Sequence, residues 1–171
     1  MKMRRGFTLV ELLIVIALLG ALAIGLIGAL DPFEQLKKGT DTGTRNTVSE
    51  VHSALIRYYA LKGYMPWCST GQCAIGATAL SAVSLGSAPM ISVLSQIVAA
   101  GELKSNFTLV QSAELQKVLV TGTDMQAVVC YKPGSKSFRS DANTRFDNVG
   151  VVRVTPACDS TDVNACYWCV Q

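Results

Sequence analysis

Histidine is almost absent from this 171-residue chain, with His52 the sole example. A lone histidine beside Val51, with Glu50 close by, reads as a surface or interface residue rather than a general base. The chain also lacks a phosphate-cradling glycine loop, a nucleophile elbow and a His-Glu-x-x-His pair. No catalytic residue and no cofactor are therefore assigned, and the chain is not read as an enzyme. Internal repeats are missing too. The formal charge of +3 is an imbalance of the first six residues, because setting aside Lys2, Arg4 and Arg5 lowers the Lys and Arg count from 15 to 12, equal to the 12 Asp and Glu. With no basic block left over, nothing in the charge pattern points to nucleic acid. Cysteine is absent from the first 67 residues, and all six fall later.

Charge is what the next stretch lacks. From Phe7 to Leu30 an apolar run carries a single charge, Glu11. As a helix, those 24 residues reach about 36 Å, enough to cross a hydrocarbon core of ~30 Å. An ordinary secretory signal has a shorter apolar core and small residues at a distal cleavage site, and neither is found here. The cut is expected before the apolar run, so that the helix stays on the mature protein and the basic leader acts as a cytoplasmic orientation signal. Glu11 is costly at such depth, roughly 2.5–3.5 kcal/mol near the centre of a span. It lies four residues after Phe7, about 6 Å along the axis, where water at the cytoplasmic face still reaches it. In a bundle of such helices its carboxylate needs a cation, and a neighbour's free α-amino group, with a pKa near ~8, would supply one.

The words RRGFTLVELLIVIALLG, with Gly6, Phe7, Thr8 and Glu11 in those places, resemble the class III signal of type IV prepilins and of type II secretion pseudopilins. That resemblance covers about the first thirty residues. It implies cleavage between Gly6 and Phe7 by a membrane prepilin peptidase, N-methylation of Phe7, and a role for Glu11 in assembly. It further implies a helical homopolymer of identical subunits and an inner-membrane assembly platform. The chain would cross the inner membrane once, head outside the cytoplasm, and later enter an extracellular pilus. Alternative readings are a pseudopilin or a membrane-anchored binding domain. Adhesion, motility or DNA uptake would be properties of the head. The stem proline usual in this family is absent, with Gly28 in its place and Pro32 one turn on. Gly20, Gly25 and Gly28 read either as close-packing points or as a stretch where the stem can unwind.

The expected organisation is a leader over 1–6, a transmembrane or filament-core helix over 7–30, an amphipathic continuation over 31–62 and a disulfide-containing globular head over 63–171. The fold class is α+β, a long N-terminal helix packed on a small antiparallel sheet, which looks pilin-like. Asp31-Pro32-Phe33-Glu34 reads as a cap for a new helical segment and predicts a kink at the membrane exit. Gly39-Thr40-Asp41-Thr42-Gly43 is expected to loosen the rod. Val48, Val51, Leu55 and Tyr58 or Tyr59 recur at helical spacing, and Gly63 with Pro66 stops the helix near Lys62. Residues 67–89 read as a loop with a short helix at most, and Pro89–Ala100 as a helix closed by Gly101. Lys117–Thr121 and Met125–Tyr131 form a hairpin, with further strand-like runs at Ser137–Arg139 and Val149–Val154.

Cys68, Cys73, Cys130, Cys158, Cys166 and Cys169 are an even set confined to the exported part, which points to disulfides. A local Cys68–Cys73 loop, one link from Cys130 to the C-terminal cluster and one link within that cluster are expected, without a ranking of partners. A four-thiolate zinc site from Cys68, Cys73, Cys166 and Cys169 competes with oxidation, and no metal ligand is assigned. Asp141-Ala-Asn143-Thr-Arg-Phe-Asp147 reads as a solvated turn ahead of a calcium loop. Phe33, Tyr58, Tyr59, Tyr64 and Trp67 read as helix–sheet packing. Tyr167 and Trp168 are left between a recognition surface and a cap on the core. Asn106-Phe107-Thr108 fits a glycosylation pattern that is weak on its own.

Overall fold

The structure is a computed structural model that describes residues 6–29, 31–68, 80–110, 112–153 and 166–171. It divides into two compact units, one ending at Leu36 and the other running from Lys37 to Gln171. The first contains helix α1, Leu9–Ala29. Helix α2, Pro32–Lys62, begins in the first unit and supplies the long helix of the second. The long N-terminal helix restarts where the sequence places a cap, since Asp31 is non-helical and opens α2. Its carboxylate Oδ1 accepts from the backbone N–H of Glu34 at 3.2 Å, and its carbonyl accepts from Gln35 at 3.2 Å. Pro32 occupies the first helical position, where a missing N–H costs nothing.

The Gly39–Gly43 stretch does not loosen α2, which is helical throughout. Thr42 folds its hydroxyl back onto the helix, donating to the Lys38 carbonyl at 2.9 Å. Further along, Val48, Val51, Ala54, Leu55 and Tyr58 form one buried face. That face packs on an antiparallel sheet of order β1-β2-β3-β4, made of β1 Leu80–Ser84, β2 Val118–Gly122, β3 Ala127–Tyr131 and β4 Trp168–Val170. Val118, Val120, Ala127, Val129 and Tyr131 alternate onto the helix side, as a half-buried strand requires. Helix α3, Ala88–Ala99, closes the same core with Met90, Val93, Leu94 and Ile97. Two single-turn helices, α4 Phe107–Val110 and α5 Ser112–Leu115, precede β2.

Local chemistry moves several boundaries from their expected places. In the β2–β3 turn the Thr123 hydroxyl accepts from the N–H groups of Met125 and Gln126, so β3 starts only at Ala127. Ser137–Arg139 is no strand but part of a helical turn, α6 Lys136–Arg139, capped by the Ser135 hydroxyl. Val152 forms only an isolated bridge with Phe146. β1 lies where a loop was expected. It carries an irregularity between Leu80 and Val83, with Ala82 at φ 41°, and such a bulge hides the two-residue alternation. Gly122 is fixed by packing: a Cβ there would collide with the Trp67 ring, whose Nε1 donates to the Thr123 carbonyl at 2.9 Å.

The single histidine gives the second unit a pH signature. Burial lowers the His52 pKa below its ordinary 6.5, opposed by a hydrogen bond to the Ala127 backbone. On acidification the unfolded chain therefore takes up this proton before the folded one does, and stability falls as pH drops through about 6.5. Thermal melts of the full-length protein in detergent between pH 8 and pH 5.5 should show this decline. His52→Leu should flatten it.

Candidate functional site

Gly6, Phe7 and Thr8 are exposed and non-helical, directly ahead of α1. Thr8 is the helix cap. Its hydroxyl accepts from the Glu11 N–H at 3.3 Å, while Glu11 Oε2 accepts from the Thr8 N–H at 2.9 Å and from the Thr8 hydroxyl at 2.7 Å. This reciprocal arrangement is a capping box, in which side chains satisfy backbone donors that the first turn leaves without partners. The carbonyl of Thr8 then accepts the first intrahelical bond, from Leu12, at 3.2 Å. Everything in the cap lies C-terminal to the Gly6–Phe7 peptide bond. Glu11 Oε1 receives no hydrogen bond from the described residues. The sequence reading found Glu11 but missed this partnership, although Thr-x-x-Glu before an apolar run is its signature.

Leu9–Gly28 has a mean hydropathy of 2.8 and none of it is buried within the chain. It is the one helix among the described residues long and apolar enough to cross a membrane. Phe7 is 77% exposed and the leucines and isoleucines of α1 are exposed with it. The helix runs unbroken through Gly20 and Gly25 to Gly28, and a Cβ at any of the three would meet nothing within 4 Å.

The second unit holds a buried polar lock at Asp41. This residue is 5% exposed and projects from α2 to the loop after β3. Oδ2 accepts from the Ser135 N–H at 2.7 Å and the Ser135 hydroxyl at 2.6 Å, and Oδ1 accepts from the Gly134 N–H at 2.9 Å. One turn along α2, the Thr44 hydroxyl donates to Glu114 at 2.7 Å. Arg45 pairs with Asp141 at 3.5 Å and stacks its guanidinium over the Trp168 ring at 4.4 Å from the centroid. Trp168 in turn packs on Tyr131, their ring centres 5.7 Å apart. Burial first, and the nearby Asp41 charge second, push the Tyr131 hydroxyl pKa well up. Trp168 is thus a cap on the core.

On the other face of the sheet, Cys130 and Cys169 are directly opposed in β3 and β4 and joined by a disulfide, packed with Phe146. Cys68 and Cys166 each take part in a disulfide as well. Cys73 and Cys158 lie outside the described residues. With Cys169 bonded to Cys130, the four-thiolate zinc set loses a ligand. The calcium alternative fares no better. Asp141 Oδ1 accepts from the Asn143 N–H at 2.8 Å, and Asp147 Oδ1 from the N–H groups of Val149 and Val151. Among the described residues no group of three or more His, Cys, Asp or Glu could hold a metal ion. Of the aromatic series, Tyr64 meets Tyr58 edge-on at 6.2 Å, Trp67 sits on Gly122, and Phe33 is exposed.

Residues 1–27 match the family model described as the prokaryotic N-terminal methylation motif. The chain carries a prepilin-type methylation motif. No curated protein and no solved structure gives a significant match to the chain. The prepilin-type motif, the apolar helix behind it and the helix-on-sheet second unit are together consistent with the pilin and pseudopilin superfamily in general.

Proposed function

We propose that this chain is a structural subunit of an extracellular type IV pilus. The observation that carries the reading is a wholly exposed apolar helix whose capping box begins one residue after the Gly6–Phe7 bond. Cleavage there by a membrane prepilin peptidase would free the Phe7 amine for methylation and leave the cap of α1 intact. The subunit would wait in the inner membrane, head outside the cytoplasm, until the assembly platform drew it into a filament. In the filament the stems of identical copies would cover one another.

Glu11 can serve two partners at once in this scheme. Oε2 stays with Thr8, and Oε1 is available to the Phe7 amine of a neighbouring copy. Lipid tails and neighbouring stems are about equally apolar, so packing and this charge pair must set the register. The Cys130–Cys169 link, by tying the C-terminal strand into the sheet, suits a head that works outside the cell. Fibres sheared from the cell surface and analysed by mass spectrometry should begin at N-methylated Phe7. A mature product trimmed beyond Leu30, or fibres still carrying the basic leader, would overturn the reading.

A further inference from the structure

Between α2 and the β2–β3 hairpin, on the second unit alone, lies a cavity of about 270 Å³ lined by His52, Ile56, Met125, Gln126, Ala127, Val128 and Gln171. Its volume exceeds the ~150 Å³ that houses a benzene molecule in a dry protein cavity. Ile56, Met125, Ala127 and Val128 supply the apolar part of the wall and Gln126 and Gln171 stand with His52 as its polar part; His52 and Ile56 lie one helical turn apart on the same face of α2. His52 Nε2 is shut off from solvent and has no hydrogen-bond partner. The ring's other bond goes to the Ala127 backbone, which leaves Nδ1 for that carbonyl. In the neutral ring Nδ1 then carries the proton and Nε2 a lone pair. A buried acceptor without a donor is costly, and native proteins leave few of them.

We propose that this cavity is a binding site for a small neutral organic molecule, apolar in body and carrying one hydroxyl or N–H donor that bonds His52 Nε2. The apolar side chains select the body, and the unpartnered His52 Nε2 selects the donor. Access to the nitrogen requires a lining side chain to shift, and Met125 is suited to it, being unbranched and 66% exposed. A site built to receive a donor discriminates strongly against analogues that lack one, since the unpaired acceptor then stays unpaired.

Having one histidine makes the test specific. Full-length protein in detergent, labelled with ¹⁵N-histidine and ¹³C-methyl methionine, is titrated with p-cresol and, separately, with toluene at matched free concentration. p-Cresol should shift the Nε2 resonance and the Met125 methyl signal saturably, at least about tenfold more tightly than toluene. In His52→Leu the Met125 signal should respond to both probes alike. The methyls of Met65 and Met90, fully buried in the core, report that this variant is folded. Three results would each overturn the proposal: no saturable shift, equal affinity for the two probes in the natural sequence, or a p-cresol preference that survives in folded His52→Leu.

Discussion

Glu11→Ala should leave the protein in the membrane at its normal level and cut the yield of sheared fibres at least tenfold, by about 1.4 kcal/mol or more per subunit contact. Insertion is secured by the apolar run, and removing a carboxylate from it makes insertion easier. Assembly is different, because exchanging lipid for neighbouring stems gains little hydrophobic energy. Two contributions are lost together in this variant: the cap on α1, worth ~1 kcal/mol, and the charge that would meet a neighbour's Phe7 amine. Glu11→Gln separates them. Glutamine serves in a capping box nearly as well as glutamate, but it carries no charge. If the cap were what matters, Glu11→Gln would assemble and Thr8→Ala would fail. The proposed register pair requires the reverse, with Glu11→Gln as defective as alanine and Thr8→Ala only mildly impaired. Comparing fibre and membrane fractions by immunoblot for the three variants decides between them.

Legibility in the sequence followed the strength of local signals. The apolar run, the Asp31-Pro32 restart and the stop at Gly63 rest on composition or on capping chemistry within four residues, and such signals survive any tertiary context. The β2–β3 hairpin was visible for the same reason, its strands alternating around a short polar turn. β1 was not, because its bulge and left-handed Ala82 break the two-residue period. β4 is three residues long, and its pairing with β3 is set by partners about forty positions away. Ser137–Arg139 misled because strand-like side chains there lose to a serine cap one residue before the turn. Asp41 was the largest omission. In sequence it is one more polar residue among glycines and threonines. Its value comes only from a loop 93 positions later that presents three donors to it.

That same lock makes Asp41→Ala the most damaging single change expected in the second unit. The carboxylate accepts from the Gly134 N–H, the Ser135 N–H and the Ser135 hydroxyl. Ser135 is fully buried, so water cannot replace the lost acceptor at its N–H or hydroxyl without opening the loop. Each buried donor left without a partner costs ~1–3 kcal/mol, so stranding the Ser135 N–H and hydroxyl together costs about 2–6 kcal/mol. Typical domains are stable by only ~5–15 kcal/mol, so a fall in melting temperature of about 10 °C is expected for the full-length protein in detergent. The Ser135 hydroxyl also caps α6, and the loop from Pro133 to Arg139 should lose hydrogen-exchange protection first. Ser135→Ala removes one of the stranded donors. Adding it to Asp41→Ala should therefore cost less than the sum of the two single changes, by roughly 1 kcal/mol. A melting curve for Asp41→Ala within about 0.5 kcal/mol of the natural protein, or full additivity of the pair, would show that this carboxylate does not hold the loop to the helix.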